Sequence, residues 1–256
     1  MAILLRVATV NTLIMDWFEN WFGSPFYKLL YQNRDDSEAR RFTDELICYL
    51  QPPTGCRMLD IACGEGRFAI HLAEKGYDVT GIDITQASIE NAKAHETDML
   101  HFYEHDMRFP FYINYFDFAF NFFTSFGYFK YDRDNRMAAR AFAAALKPGG
   151  TLVVDYFNYH TVIKNMVSEA TVQRGDTTFY IKKKYDGKHI RKDIAFTDDE
   201  GIARNYVEKV ATFSLDDFKC LFDQAGMEMT ETFGDYGLHP FSVEESPRMI
   251  MIFKKK

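Results

Sequence analysis

The sequence predicts an α/β fold: a doubly wound, seven-stranded sheet whose last strand runs antiparallel, with an N-terminal helical cap and an inserted antiparallel β lid. Three observations predict it. Between residues 57 and 156, short apolar runs alternate with helix-period segments, the pattern of βα units whose parallel strands are covered on both faces. After Asn158 the chain alternates polar and apolar residues around turn signals, which reads as antiparallel hairpins. It then returns to one helix and two strands joined by a loop containing Gly237, His239 and Pro240.

The elements follow in order. Residues 1–15 are mildly apolar, but Arg6 and Asn11 interrupt them, and a bilayer span needs about 20 apolar residues. Met15 is a candidate natural start. Helix is expected over 16–32, interrupted near Gly23 and Pro25, and over 35–50, where Asp35 or Asp36 caps and Phe42, Leu46 and Leu50 form an apolar stripe. Pro52 and Pro53 end it. Strands at 57–62, 78–83, 100–105, 116–123 and 150–156 then alternate with helices at 66–75, 86–95 and 132–146. Residues 171–208 turn at Arg174-Gly175-Asp176 and Asp186-Gly187. Ser214 and Asp217 start a capped helix over 214–224 that Gly226 stops, and strands close the chain at 227–236 and 248–254. The expected division is a cap at 1–50, a main domain at 51–158 with 213–256, and a β-rich insert at 159–212.

Thirty Lys plus Arg against 37 Asp plus Glu leave a charge of −7, which disfavours nucleic acid and anionic membranes as partners. The lysine runs at 182–184 and 254–256 read as solvated edges. Cys48, Cys56, Cys63 and Cys220 show neither a C-x-x-C pair nor a metal-ligand spacing, so we expect free thiols, no metal, and a soluble cytoplasmic protein. The 25 Phe, 15 Tyr and 2 Trp suit either an aromatic core or a pocket for a cation or flat ligand.

The chemistry centres on Asp60 to Gly66, DIACGEG. Gly64 and Gly66 follow an apolar strand and open a helix, so the backbone turns sharply and a ligand approaches without meeting a Cβ. Asp83 ends the next strand nineteen residues after Gly64, where a carboxylate accepts both ribose hydroxyls or, more simply, caps a helix. Gly64, Gly66 and Ala69 also fit the G-x-G-x-x-A dinucleotide fingerprint, so an NAD(P)-dependent oxidoreductase stays open. Against it, Asp60 favours a bound ammonium or sulfonium over a pyrophosphate. His105-Asp106-Met107, at the end of the third strand, offers an adenine amino group an acceptor and its ring an apolar neighbour.

LDIACGEGRFAIHLAEKGYDVTGIDIT, HDM, FAFNFFTSFGYF and KPGG together resemble a class I S-adenosylmethionine-dependent methyltransferase with a Rossmann-like fold, over residues 55–158. The ending FGDYGLHPFSVEESPRMIMIFKKK is similar to the last two strands of the small-molecule branch, whose connecting loop reaches over the acceptor site. The resemblance implies S-adenosyl-L-methionine as cofactor, with Ala62, Gly64 and Gly66 facing its amino-acid end. It implies Asp83 on the ribose, Ile84 on adenine, Asp106 and Met107 holding the base, and Asn121 near the methyl-donor end. In-line methyl transfer makes a general base optional; Tyr27, Tyr31, Tyr128 and His160 are the candidates.

The aromatic cluster Trp17, Phe18, Trp21, Phe22, Phe26, Tyr27 and Tyr31 reads either as a lid whose faces meet the sulfonium or a planar substrate or as core packing, and Arg174, Arg191 and Arg204 of the insert read either as solvated residues or as partners of an anionic acceptor. A small-molecule substrate and a monomer or homodimer fit this reading. A non-catalytic cofactor-binding module remains as a third, since no side chain stands out as a base.

Overall fold

The structure is a computed structural model and describes residues 17–32 and 36–256. The expected start at Met15 and the Asp35 cap lie outside the described residues. The first helical segment breaks where expected, into α1 (Trp17–Phe22) and α2 (Pro25–Tyr31). The Ser24 side chain caps α2 by accepting the Tyr27 amide at 3.1 Å, and Pro25 stands at its first turn, where a missing N–H costs nothing. Then comes α3 (Asp36–Leu50), which buries Phe42 and Leu46.

The alternating region forms β1 (Arg57–Ile61), α4 (Arg67–Glu74), β2 (Asp78–Asp83), α5 (Gln86–Lys93), β3 (Leu100–Glu104), β4 (Phe116–Asn121), α6 (Asp132–Ala145) and β5 (Leu146–Phe157). Strand β5 starts earlier than expected, because Lys147 to Gly150 bulge out between the Phe116–Leu146 and Phe118–Thr151 pairings and then rejoin the ladder. A helix absent from the sequence expectation, α7 (Tyr159–Lys164), follows, with the Asn158 side chain accepting the His160 amide at 3.2 Å. The insert is β6 (Glu169–Arg174), β7 (Thr177–Tyr185), β8 (His189–Thr197) and β9 (Ala203–Ala211); α8 (Leu215–Asp223), β10 (Met227–Phe233) and β11 (Arg248–Lys255) end the chain.

The seven-stranded sheet has the order β10-β11-β5-β4-β1-β2-β3. Strands β1, β2, β3, β4 and β5 are parallel, and β11 runs antiparallel to both β5 and β10, as the fold class expected. Helices α3, α4 and α5 cover one face and α6 and α8 the other, and most of the phenylalanines lie buried between these layers, so the aromatic excess is chiefly core. The chain runs outward from β1 through β2 to β3, then jumps back to β4 on the other side of β1. That reversal opens a crevice at the carboxyl ends of β1 and β4, where open α/β sheets bind ligands.

The second sheet, β6-β7-β8-β9, is an antiparallel meander turned at Gly175 (φ 54°) and Gly187 (φ 92°). Its apolar face, Phe179, Ile181, Ile194 and Phe196, packs against Trp21 and Leu30 of the first two helices. The sheet therefore backs the N-terminal helices, and those helices meet the crevice.

Candidate active site

The glycine loop is built by three left-handed residues, Ala62 (φ 60°), Gly64 (φ 58°) and Gly66 (φ 83°), which reverse the chain between β1 and α4. The two glycines serve different ends. A Cβ on Gly64 would stand in open space, whereas one on Gly66 would lie 2.5 Å from the Phe102 ring. Gly64 leaves the crevice floor open, and Gly66 lets Phe102 of β3 close under the loop. Asp83, at the end of β2, pins the turn: its Oδ2 accepts the Gly64 amide at 2.9 Å and its Oδ1 the Thr85 amide at 2.8 Å. The N-cap of α5 is Thr85 and not Asp83, which holds the Thr85 amide from the strand end while its side chain borders the crevice.

A cavity of about 560 Å³ fills the crevice. Of the residues expected to hold a cofactor, Asp60, Ala62, Gly64, Asp83, Ile84, Asp106 and Met107 line it. Gly66 and Asn121 do not. Asn121 is fully buried and donates its Nδ2 to the Ile61 carbonyl at 3.0 Å, tying β4 to β1.

Asp60 is 1% exposed, and its Oδ2 has no hydrogen-bond partner among the described residues. Burial, and after it the charge of Asp83, push its carboxyl up to about 7, against the opposing Ala69 amide. Burial raises Asp83 as well. Two desolvated acids under one floor suit a cation and disfavour a pyrophosphate. Asp106 already carries an ion pair with Arg108 at 2.6 Å, and the Arg108 guanidinium lies over the Phe18 and Phe129 rings at the cavity wall.

The far wall is aromatic. Phe18, Phe22, Tyr27 and Tyr31 from the first two helices meet Phe123, Tyr128 and Phe129 from the segment after β4. Tyr31 donates its hydroxyl to Glu208 Oε1 at 2.7 Å, and Lys192 donates to Tyr31. Burial and the Glu208 charge hold the Tyr31 proton far above neutral pH, so this hydroxyl is a donor and not a base. Trp21 Nε1 donates to the same Glu208 oxygen at 2.7 Å. His160 lies outside the cavity, exposed, its ring 4.1 Å from that of Tyr159 and tilted by 32°.

Two features considered for the acceptor side lie outside the cavity. Among the described residues, neither the insert nor the β10–β11 connection contributes to the cavity lining. Arg174 bonds the Leu30 carbonyl, Arg191 pairs with Asp193 and Arg204 with Asp198, so the insert's arginines are engaged away from the crevice. Sequence reasoning also missed Lys28 and Glu65, which join α2 to the glycine loop at 2.5 Å, and the left-handed pair Phe123 and Thr124; nothing local in FFTS marks that conformation.

The description methyltransferase domain belongs to a family model that matches residues 31–232. The chain belongs to this methyltransferase family. It is an S-adenosylmethionine-dependent methyltransferase, which removes the nicotinamide oxidoreductase reading. The methyltransferase is 26% identical over 211 residues to the dTDP-3-amino-3,4,6-trideoxy-alpha-D-glucopyranose N,N-dimethyltransferase of Streptomyces venezuelae, covering 79% of this chain and 89% of that one. Its fold matches an S-adenosylmethionine-dependent methyltransferase from Clostridium acetobutylicum with a TM-score of 0.75 at 16% identity, over 92% of this chain and 98% of the other. It also matches the sugar N-methyltransferase KedS8 from Streptoalloteichus with a TM-score of 0.71 at 22% identity, over 90% and 92% of the two chains. The site fits the methyl donor: an orphaned buried carboxylate oxygen suits its cationic end, and Gly64 leaves room for it. Among the described residues no group of three or more His, Cys, Asp or Glu is placed to hold a metal. Nor is any described helix long and apolar enough to cross a membrane.

Proposed function

We propose that this methyltransferase methylates an amine on a small, compact acceptor by in-line transfer. The observation that carries the proposal is the aromatic wall: Phe18, Phe22, Tyr27, Tyr31 and Tyr128 line a cavity of about 560 Å³ bordered by α1 and α2, a chamber suited to a small ring and not to a polymer. The two relatives whose names specify a sugar N- or N,N-methyltransferase support an amine.

Bound S-adenosylmethionine supplies a methyl group on a sulfonium, a good leaving group. The chain's part is alignment and water exclusion. Asp60 would face the ammonium, Asp83 the ribose hydroxyls, and Ile84 and Met107 the adenine faces, with Asp106 beside its edge. A neutral amine attacks without prior deprotonation, so Tyr27 and Tyr128 would accept and orient its N–H bonds, and the methylammonium product loses its proton to water on release. Tyr31 stiffens the wall through Glu208. A cytoplasmic monomer or homodimer without nucleic-acid or membrane partners completes the proposal, supported by the charge of −7 and the free Cys48, Cys56, Cys63 and Cys220.

The test is release of S-adenosylhomocysteine with a panel of amino sugars, their nucleotide-linked forms, matched hydroxyl analogues and RNA. Turnover on an amine and not on its hydroxyl analogue is expected. Turnover confined to hydroxyl compounds or RNA would overturn the proposal.

A further inference from the structure

After β4, the cavity wall turns through two consecutive non-glycine residues in the left-handed region, Phe123 (φ 60°) and Thr124 (φ 61°). L-residues resist that conformation, and it persists only where the surroundings over-determine it. Here one residue does most of the determining. Asp155, fully buried near the end of β5, accepts the Phe123 amide on Oδ2 at 2.8 Å, and its backbone carbonyl accepts the Thr124 amide at 3.0 Å.

Asp155 is itself clamped from the C-terminal strand pair. Arg248, at the start of β11, donates Nε to Asp155 Oδ1 at 2.8 Å and brings Nη2 to 2.6 Å of the same oxygen, and the Tyr236 hydroxyl donates to Oδ2 at 3.1 Å. The Arg248 Nη2 also reaches Thr124 Oγ1 at 3.1 Å, and that hydroxyl oxygen accepts the Phe157 amide at 3.1 Å. A buried ion pair is poor evidence for stability as such, because desolvation offsets its attraction. What this pair does in geometry is clear: it fixes the backbone of a wall whose members Phe123, Thr124 and Ser125 all line the cavity.

We infer that Asp155 is a positioning residue for methyl transfer, and that with Arg248 and Tyr236 it holds Phe123 to Ser125 as the rigid surface against which the transferable methyl and the acceptor are aligned. The β10–β11 connection thus acts on the acceptor side through Asp155, without entering the cavity. The inference rests on the proposed cofactor orientation, ribose at Asp83 and methyl toward the β4 end.

The experiment uses the full chain carrying Asp155→Asn, which keeps the size of the side chain and loses the charge opposite Arg248. Two probes are titrated calorimetrically: S-adenosylhomocysteine, and sinefungin, which bears an amine-carrying carbon in place of the methylated sulfur. Amide hydrogen exchange is followed in parallel. In the variant, the Phe123 and Thr124 amides should exchange at least tenfold faster, and sinefungin should lose at least fivefold more affinity than S-adenosylhomocysteine. A role confined to folding would weaken both probes equally. Unchanged exchange at 123 and 124, or faster exchange with equal or no loss for the two probes, would overturn the inference. Should Asp155→Asn lack a cooperative melt, Tyr236→Phe, which removes a single bond to Asp155, decides by the same two readouts with smaller changes of the same sign. Asp83→Ala separates the underlying reading: if it leaves S-adenosylhomocysteine affinity unchanged, the cofactor orientation has failed, whatever happens at 123 and 124.

Discussion

Asp83 and Gly64 are joined directly, the carboxylate Oδ2 accepting the glycine amide at 2.9 Å across nineteen residues of sequence. One side chain therefore both fixes the glycine loop and borders the cavity. Replacing it with Ala removes the loop's tether and the proposed ribose acceptor together. We expect Asp83→Ala to cost about 1.5–3 kcal/mol of S-adenosylhomocysteine affinity by calorimetry, with the cooperative melt retained.

Asp60 gives the site a pH dependence whose sign is fixed. Its folded-state pKa, about 7, lies above the ordinary carboxylate value of 3.8, so ionising it destabilises the fold. That penalty is absent below the ordinary value, grows as pH rises, and is complete above about 7. A cationic ligand beside Oδ2 reverses the preference. Affinity for S-adenosylmethionine should rise between about pH 5.5 and 7, by up to about tenfold per unit, with proton release seen as a buffer-dependent binding enthalpy. Asp60→Asn should flatten the profile; an identical slope in that variant would assign the proton elsewhere.

The two loop glycines should fail differently. Gly66→Ala places a methyl 2.5 Å from Phe102 in a left-handed position, and should lower stability by about 2–4 kcal/mol in denaturant titration. Gly64→Ala meets no protein atom within 4 Å, so about 1 kcal/mol of backbone strain is expected, with the larger effect on cofactor affinity. Equal losses of stability would refute the division of roles.

Glu208 links the insert to the cap through Trp21 and Tyr31, and pairs with Lys192 of the neighbouring insert strand. Glu208→Ala removes the acceptor of the Trp21 and Tyr31 donors and the anion paired with Lys192 in a partly buried setting, and should destabilise by about 2–3 kcal/mol. Chemical denaturation checks the magnitude, and increased hydrogen exchange across α1 and α2 checks the location.

The parts of this molecule legible in the sequence are those with local signals. The glycine loop announces itself by residues that tolerate left-handed backbone, Asp83 by its place at a strand end, and the hairpin turns by Gly175 and Gly187. The cap and the aromatic wall were legible only as a cluster, because Trp21 turns toward the β sheet while Phe18 and Phe22 turn toward the cavity, and helical spacing alone does not say which neighbour each face meets. Asp155 and Arg248 are 93 residues apart and Trp21 and Glu208 are 187 apart, so neither pair leaves a trace in any window of sequence. Asn121 and Gly66 stand outside the cavity lining: Asn121 ends β4 and donates to the Ile61 carbonyl of β1, and Gly66 packs close to the Phe102 ring, contacts that no local pattern distinguishes from a place facing the cofactor.

The most direct test of the cofactor site is a crystal structure with S-adenosylhomocysteine. The account predicts the ribose hydroxyls on Asp83, the ammonium facing Asp60 Oδ2, and the sulfur directed toward Thr124 and Tyr128. A ribose held away from Asp83, or a ligand outside the crevice between β1 and β4, would contradict it.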